Sequence, residues 1–181
     1  MSAASKLTGE AALKQAEALL SSAGARARLA RGRIVVTLEP ADLVETAARL
    51  RDDEKLSFTY LIFVSGVDYP DRMEAVYILR SLEHQQLLEL RVRLDRDRPS
   101  LPTVSGIWST AAWHEREAYD LLGIVFEGHP DLRRILTRGE DGVFPLRKDA
   151  RPHRVQRDEW SFAGIGAAKR LPGEEDRSER S

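Results

Sequence analysis

Two runs rich in aromatic and branched residues, Phe58 to Val67 and Met73 to Leu82, flank Tyr69, Pro70, Asp71 and Arg72. Pro and Asp at those positions suit a tight turn, so the two runs are expected to pair as antiparallel strands. Leu88, Leu90, Val92 and Leu94 then alternate with Glu89, Arg91, Arg93 and Asp95, the period-two pattern of a strand with one wet face. Ile34 to Leu38 is a further β-branched run, ended by Pro40. Behind it Leu43, Ala47 and Leu50 fall on one helical stripe.

Leu13, Ala16, Leu19, Leu20 and Ala23 recur at helical spacing, with Thr8 placed to cap the start and Gly24 to close the end. A third helix is expected from about Ser109 to Leu122, with Gly123 taking the left-handed conformation that ends helices and Ile124 packing back. The expected fold is α+β: a mostly antiparallel four-stranded sheet with helices packed on one side, plus an extended C-terminal arm. Residues 1–29 are read as an N-terminal helix, 30–138 as the α+β domain, and 139–181 as the arm and a polar tail. The last eleven residues, LPGEEDRSERS, are too poor in apolar side chains to fold independently.

A chain of 181 residues with 42% hydrophobic content supports one core of ordinary size. Its 28 Lys and Arg against 29 Asp and Glu create no general field for nucleic acid. The absence of cysteine excludes thiolate-ligated iron-sulfur clusters, Cys zinc sites, disulfides and a Cys nucleophile. Any redox role is then indirect or rests on a cofactor held without thiolates. No window approaches the roughly 18 to 20 apolar residues of a membrane span, and the N-terminus lacks a basic segment followed by a long apolar run. A cytoplasmic chain, soluble alone, is expected, with a peripheral place on a membrane complex still open to it.

Charge, glycine and proline are densest from Glu115 to Asp149. His114, Glu115, Glu117 and Asp120 invite a metal or acid/base reading. A zinc-protease helix needs two His four residues apart, but position 118 is Ala, and Glu115 and Glu117 stand about 200° apart around a helix. A metal-dependent hydrolase using His114, Glu117 and His129 stays as an alternative, and so does a free-standing adaptor. The plainer reading is an amphipathic helix on which Arg116 reaches Asp120 at i,i+4, worth about 0.2 to 0.5 kcal/mol when exposed. Trp108, Trp113 and Tyr119 crowd the same charges, which is the composition of an interface anchor.

His129, between Gly128 and Pro130, is held by a constrained backbone and reads equally as an interface group or a satisfied loop histidine. Arg133 with Arg134, and Arg147 with Lys148, form two basic pairs suited to a partner's carboxylates. Acids and bases nearly balance in this region, so these side chains can also satisfy one another. GIGAA at 164–168 lacks the third glycine and the βαβ context of a dinucleotide loop, and neither a GxSxG elbow nor a GxxxxGK loop occurs.

EREAYDLLGIVFEGHPDLRRIL, Glu115 to Leu136, followed by GVFPLRKD, Gly142 to Asp149, resembles the signature of the 30 kDa subunit family of respiratory complex I, the C-type subunit of NADH-quinone oxidoreductase. Gly66 to Arg72 and Leu101 to Trp108 extend the likeness, which covers roughly residues 30 to 150. Leu122 stands where Phe is frequent, and Ala150-Arg151-Pro152 replaces the common Phe-Pro after the RKD element.

The resemblance implies an α+β domain in the hydrophilic arm of a proton-translocating complex, with FMN and iron-sulfur clusters in partner subunits and no cofactor, metal or catalytic residue here. It implies packing against the 49 kDa-type subunit and other hydrophilic-arm subunits and a peripheral place on the cytoplasmic side of the cell membrane through the complex; no nucleic-acid partner is expected, given the charge balance. Expected docking residues are Glu115, Arg116, Glu117, Asp120, His129, Arg133, Arg134, Arg147, Lys148 and Asp149. Related subunits occur in membrane-bound hydrogenases and in complexes fed by other donors, which leaves the donor open.

Overall fold

The computed structural model describes residues 9–20, 25–137 and 143–150. Helix α1 (Gly9–Leu20) leads into a hairpin of β1 (Arg26–Ala30) and β2 (Arg33–Leu38). A 3-10 turn at Pro40–Asp42 starts α2 (Leu43–Asp52), and then come β3 (Tyr60–Asp68), β4 (Met73–Ser81) and β5 (Gln86–Leu94). Short β6 (Ser100–Pro102), α3 (Ala111–Leu122) and β7 (Val125–Glu127) complete the described elements. The expected start cap at Thr8, Ala23 and the close at Gly24, and the GIGAA segment, lie outside the described residues.

Among the described residues the sheet has five strands, in the order β1-β2-β5-β4-β3, where four were expected. The additional strand, β1, falls largely within the stretch read as N-terminal helix. Its apolar side amounts to Ala27 and a 41% exposed Leu29 between arginines, too short a run to stand out in the sequence. Its clearer signal is the turn: Arg31 and Gly32 both have positive φ, 50° and 74°, which is the two-residue loop that closes tight hairpins. Three of the four pairings are antiparallel, and β2 runs parallel to β5.

Alternation puts Ile34, Val36, Leu88, Leu90, Val92, Ala75, Tyr77 and Leu79 on one sheet face, where they join Ala12, Ala16 and Leu20 of α1, Leu43, Ala47 and Leu50 of α2, and Ala118 and Leu122 of α3 in one core. The described helices therefore cover a single face. Gly66 on β3 is the close-approach point for α3, since a Cβ there would collide with Leu122 and Ile124. The Trp108 indole closes the far side by donating to the Phe58 carbonyl at 3.2 Å. No described helix is long and apolar enough to cross a membrane.

Candidate functional site

Helix α3 buries charge on two sides. Toward the β6–α3 connection, Glu115 is fully buried and accepts from the Thr103 hydroxyl at 2.5 Å and the Val104 amide at 2.9 Å. Burial pushes its carboxyl up from the ordinary value, against the lowering effect of those two donors and of nearby His129. The His129 ring is also enclosed: Nδ1 accepts from the Asp131 amide at 3.0 Å, which leaves Nε2 to donate to the Ala112 carbonyl at 3.0 Å. Those bonds fix the tautomer. The Glu115 carboxylate stands 3.9 Å from Nε2.

Asp120, on the other side, is fully buried and accepts from the amides of Ile135, Leu136 and Thr137 at 2.8, 2.6 and 3.0 Å. Burial alone would raise this carboxyl, but the Thr137 hydroxyl and the three amides outweigh it and hold the group well below the usual carboxylate range. Arg134 adds its Nη1 at 3.3 Å. The expected Arg116 to Asp120 pair does not form. Arg116 instead turns to the Arg133 carbonyl at 3.3 Å and to Asp131 at 3.6 Å, with its guanidinium 4.8 Å from the Trp113 ring centroid.

Residues 143–150 are bound to the end of α3. Gly123, at φ 74°, ends the helix, and the Leu146 amide and Arg147 Nε donate to the exposed carbonyls of Leu121 and Leu122 at 3.0 and 2.7 Å. These two donors satisfy groups that a helix end leaves open. The guanidinium groups of Arg134 and Arg147 each lie 5.0 Å from the Phe144 ring centroid. Further on, the Lys148 amide donates to Asp68 at 2.8 Å, and Arg96 bridges Asp68 at 2.9 Å and Asp149 at 3.3 Å. Burial raises the Asp68 carboxyl, but Arg96, the Lys148 amide and Arg147 outweigh it and hold it below its ordinary value.

The ten expected docking residues therefore divide. Glu115, Arg116, Asp120 and His129 are enclosed and bonded internally, and Arg134 and Arg147 hold the 143–150 segment in place. Glu117, Arg133, the Lys148 side chain and Asp149 face outward. His114 lies near Glu117 at 4.0 Å, whereas His129 is committed elsewhere. The three do not converge, and among the described residues no group of three or more His, Asp or Glu side chains is placed to hold a metal.

Trp113, Glu117 and Leu121 follow one another at i,i+4 along the outer side of α3, and Leu146 continues the line beyond the helix end. Trp113 and Leu146 are 65% and 60% exposed. Beside this stripe runs a groove of about 420 Å³ between α3 and β3, lined by Val67, Asp68, Glu117, Leu121, Leu146 and Lys148. Asp68, Arg96, Thr103 and Phe144 escaped sequence reasoning as anchors because their partners lie far away in the chain. The local signals were the short motifs that hold Asp68, Thr103 and Phe144, Gly66 to Arg72, Leu101 to Trp108 and Gly142 to Asp149, which marked the residues without naming their partners.

The profile of the family described as "Respiratory-chain NADH dehydrogenase, 30 Kd subunit" matches residues 36–156, which include most of the sheet, α3 and the bound segment. The chain belongs to this family. Among members of the 30 kDa subunit family, the C-type subunit of NADH-quinone oxidoreductase from Chloroherpeton thalassium is 47% identical over 66% of this chain and 51% of its own length. Its counterpart from Xanthobacter autotrophicus is 44% identical over 73% of this chain and 64% of its own. The chain thus matches between half and two thirds of these curated relatives. A solved trypsin-resistant fragment of Nqo5, at 34% identity and a TM-score of 0.56, covers 68% of this chain and 98% of the fragment. A chain in the membrane-bound sulfane sulfur reductase, an archaeal respiratory membrane complex, shares the fold at 23% identity and a TM-score of 0.68.

Proposed function

We propose that this chain is a cofactor-free peripheral-arm subunit of a proton-translocating NADH-quinone oxidoreductase, and that it braces the quinone-reducing 49 kDa-type subunit while electrons pass from NADH to quinone. Family membership and the names of the relatives support the setting. The absence of cysteine supports a subunit without an iron-sulfur centre of its own.

The observation that carries the bracing role is the Trp113–Glu117–Leu121–Leu146 stripe. Trp113 on α3 and Leu146 just beyond its end are each more than half exposed, the helix being pinned by its buried charges and the Leu146 amide by the helix-end carbonyl of Leu121. Rigid aromatic anchors edged by charge are the features of a protein interface. Arg133, Lys148 and Asp149 would supply its polar rim, and the complex would sit on the cytoplasmic side of the membrane, with this chain held there by protein contacts.

Trp113→Ala together with Leu146→Asp should leave the isolated chain folded by circular dichroism. In cells that make it as the only copy, the variant should lower both recovery of the assembled complex and NADH:quinone reductase activity of membranes. Normal assembly and activity with both changes present would remove the bracing role.

A further inference from the structure

The sheet face opposite the described helices carries a ladder of alternating charge. Arg33 meets Glu89 at 3.1 Å, Arg91 pairs with Glu89 and with Glu74 at 3.0 Å, and Arg72 meets Glu74 at 2.9 Å. Every carboxylate of the ladder is engaged. Three arginines at one end of the same face are left out of it. Among the described residues, Arg26 and Arg28 on β1 and Arg93 on β5 have no ion-pair or side-chain hydrogen-bond partner.

The register explains why they converge. Arg26 stands opposite Thr37, and Thr37 opposite Arg91, so Arg26, Arg28 and Arg93 project from the same side of neighbouring strands. With Ala27, Thr37, Leu38 and Glu39 they line a concavity of about 400 Å³. Among the described residues that line it, the charged groups are three guanidiniums and the carboxylate of Glu39; Glu74, opposite Arg93 in the register, is taken up by Arg72 and Arg91. Edge strands often carry charge to deter strand addition, which would account for Arg26 and Arg28. It does not account for Arg93, which lies two strands inward.

We propose that this pocket is a docking site for an acidic, extended segment of another protein, whose carboxylates are received by Arg26, Arg28 and Arg93. Charge complementarity selects the occupant: planar guanidinium forks without internal partners suit bidentate carboxylates. The site lies at the β1 edge of the sheet, opposite the β3 edge that carries the α3 groove, so one chain can hold two neighbours at once. It does not depend on the respiratory role.

The test titrates the full chain with a synthetic peptide of alternating glutamate and serine, followed by backbone amide shifts. Saturable binding is expected, with the shifted amides confined to 26–28, 37–39 and 93. Affinity should fall at least about tenfold between about 0.05 M and 0.5 M salt. Arg26→Gln, Arg28→Gln and Arg93→Gln combined should weaken binding by about tenfold or more, while Arg98→Gln, an exposed arginine elsewhere, should not. Absence of binding, shifts spread over other basic surface, or unchanged affinity in the folded triple variant would each overturn the proposal. So would binding of tripolyphosphate or phosphatidylglycerol vesicles at the pocket without binding of the peptide. Should the triple variant not fold, the shift map on the parent chain decides.

Discussion

The Phe144 ring lies against Gly123 so closely that a Cβ on the glycine would stand 2.6 Å from it. Helix end and bound segment therefore meet through the one residue that has no side chain to obstruct them. The contact explains why a segment without regular secondary structure holds its position over α3.

Gly123→Ala combines an unfavourable left-handed conformation, costing about 1 to 2 kcal/mol, with displacement of Phe144. Urea denaturation should show a loss of at least that size. Limited proteolysis should cut the chain faster between 143 and 150 than in the parent, and a variant equally stable and equally resistant would contradict the packing described here.

Asp120→Asn should be among the most damaging single changes to the fold. The carboxylate serves three backbone amides and Arg134 from full burial, and breaking such a charged network costs about 3 kcal/mol or more. Because the folded carboxyl titrates below its unfolded value of about 3.9, its contribution is complete above that pH and is lost as pH falls through the folded value. The parent should thus lose stability on acidification below about pH 4, and the Asn variant should lose less over the same range.

Much of the fold was legible from residues close in sequence. The YPDR turn and the alternation from Leu88 to Leu94 give β3, β4 and β5, and Gly123 gives the end of α3. β1 was hidden because its apolar side is only Ala27 and Leu29, set between arginines that belong to the wet face. The site was legible as a region but not as a pattern of partners. Arg116 and Asp120 have the spacing of a surface pair, yet residues 131–137 pack across that side of α3 and give each a different partner. Only tertiary packing decides between a docking charge and an internal one.

Lys148→Ala and Asp68→Asn separate backbone from side-chain anchoring. Lys148 engages Asp68 through its main-chain amide, so removing its side chain should barely alter stability or proteolysis of the segment. Asp68→Asn weakens both Arg96 and the Lys148 amide as partners and should expose 143–150 to cleavage. Equal effects of the two changes would refute this division.

Tyr77→Phe should stabilise the chain. The Tyr77 hydroxyl is fully buried in the core and has no hydrogen-bond partner among the described residues, and an unsatisfied buried hydroxyl costs about 1 to 3 kcal/mol. A rise in unfolding free energy of about 1 kcal/mol by urea denaturation is expected; a clear loss would mean that the hydroxyl has a partner in solution.

Glu115 should behave in the opposite sense to Asp120. Its carboxyl is raised above the unfolded value, chiefly by burial, so its contribution is complete below about pH 4.3 and is lost as pH rises through the folded value. Glu115→Gln keeps an acceptor for the Val104 amide and offers a donor to Thr103, while removing the buried charge. Relative to the parent, the Gln variant should therefore gain stability as pH rises from about 4 to 7. Glu115→Ala, which leaves the Val104 amide without a partner, should be destabilised throughout. Urea denaturation of the three proteins across that range checks the sign: a Gln variant that falls further behind the parent with rising pH would show that His129 and the two donors, not burial, govern this carboxylate.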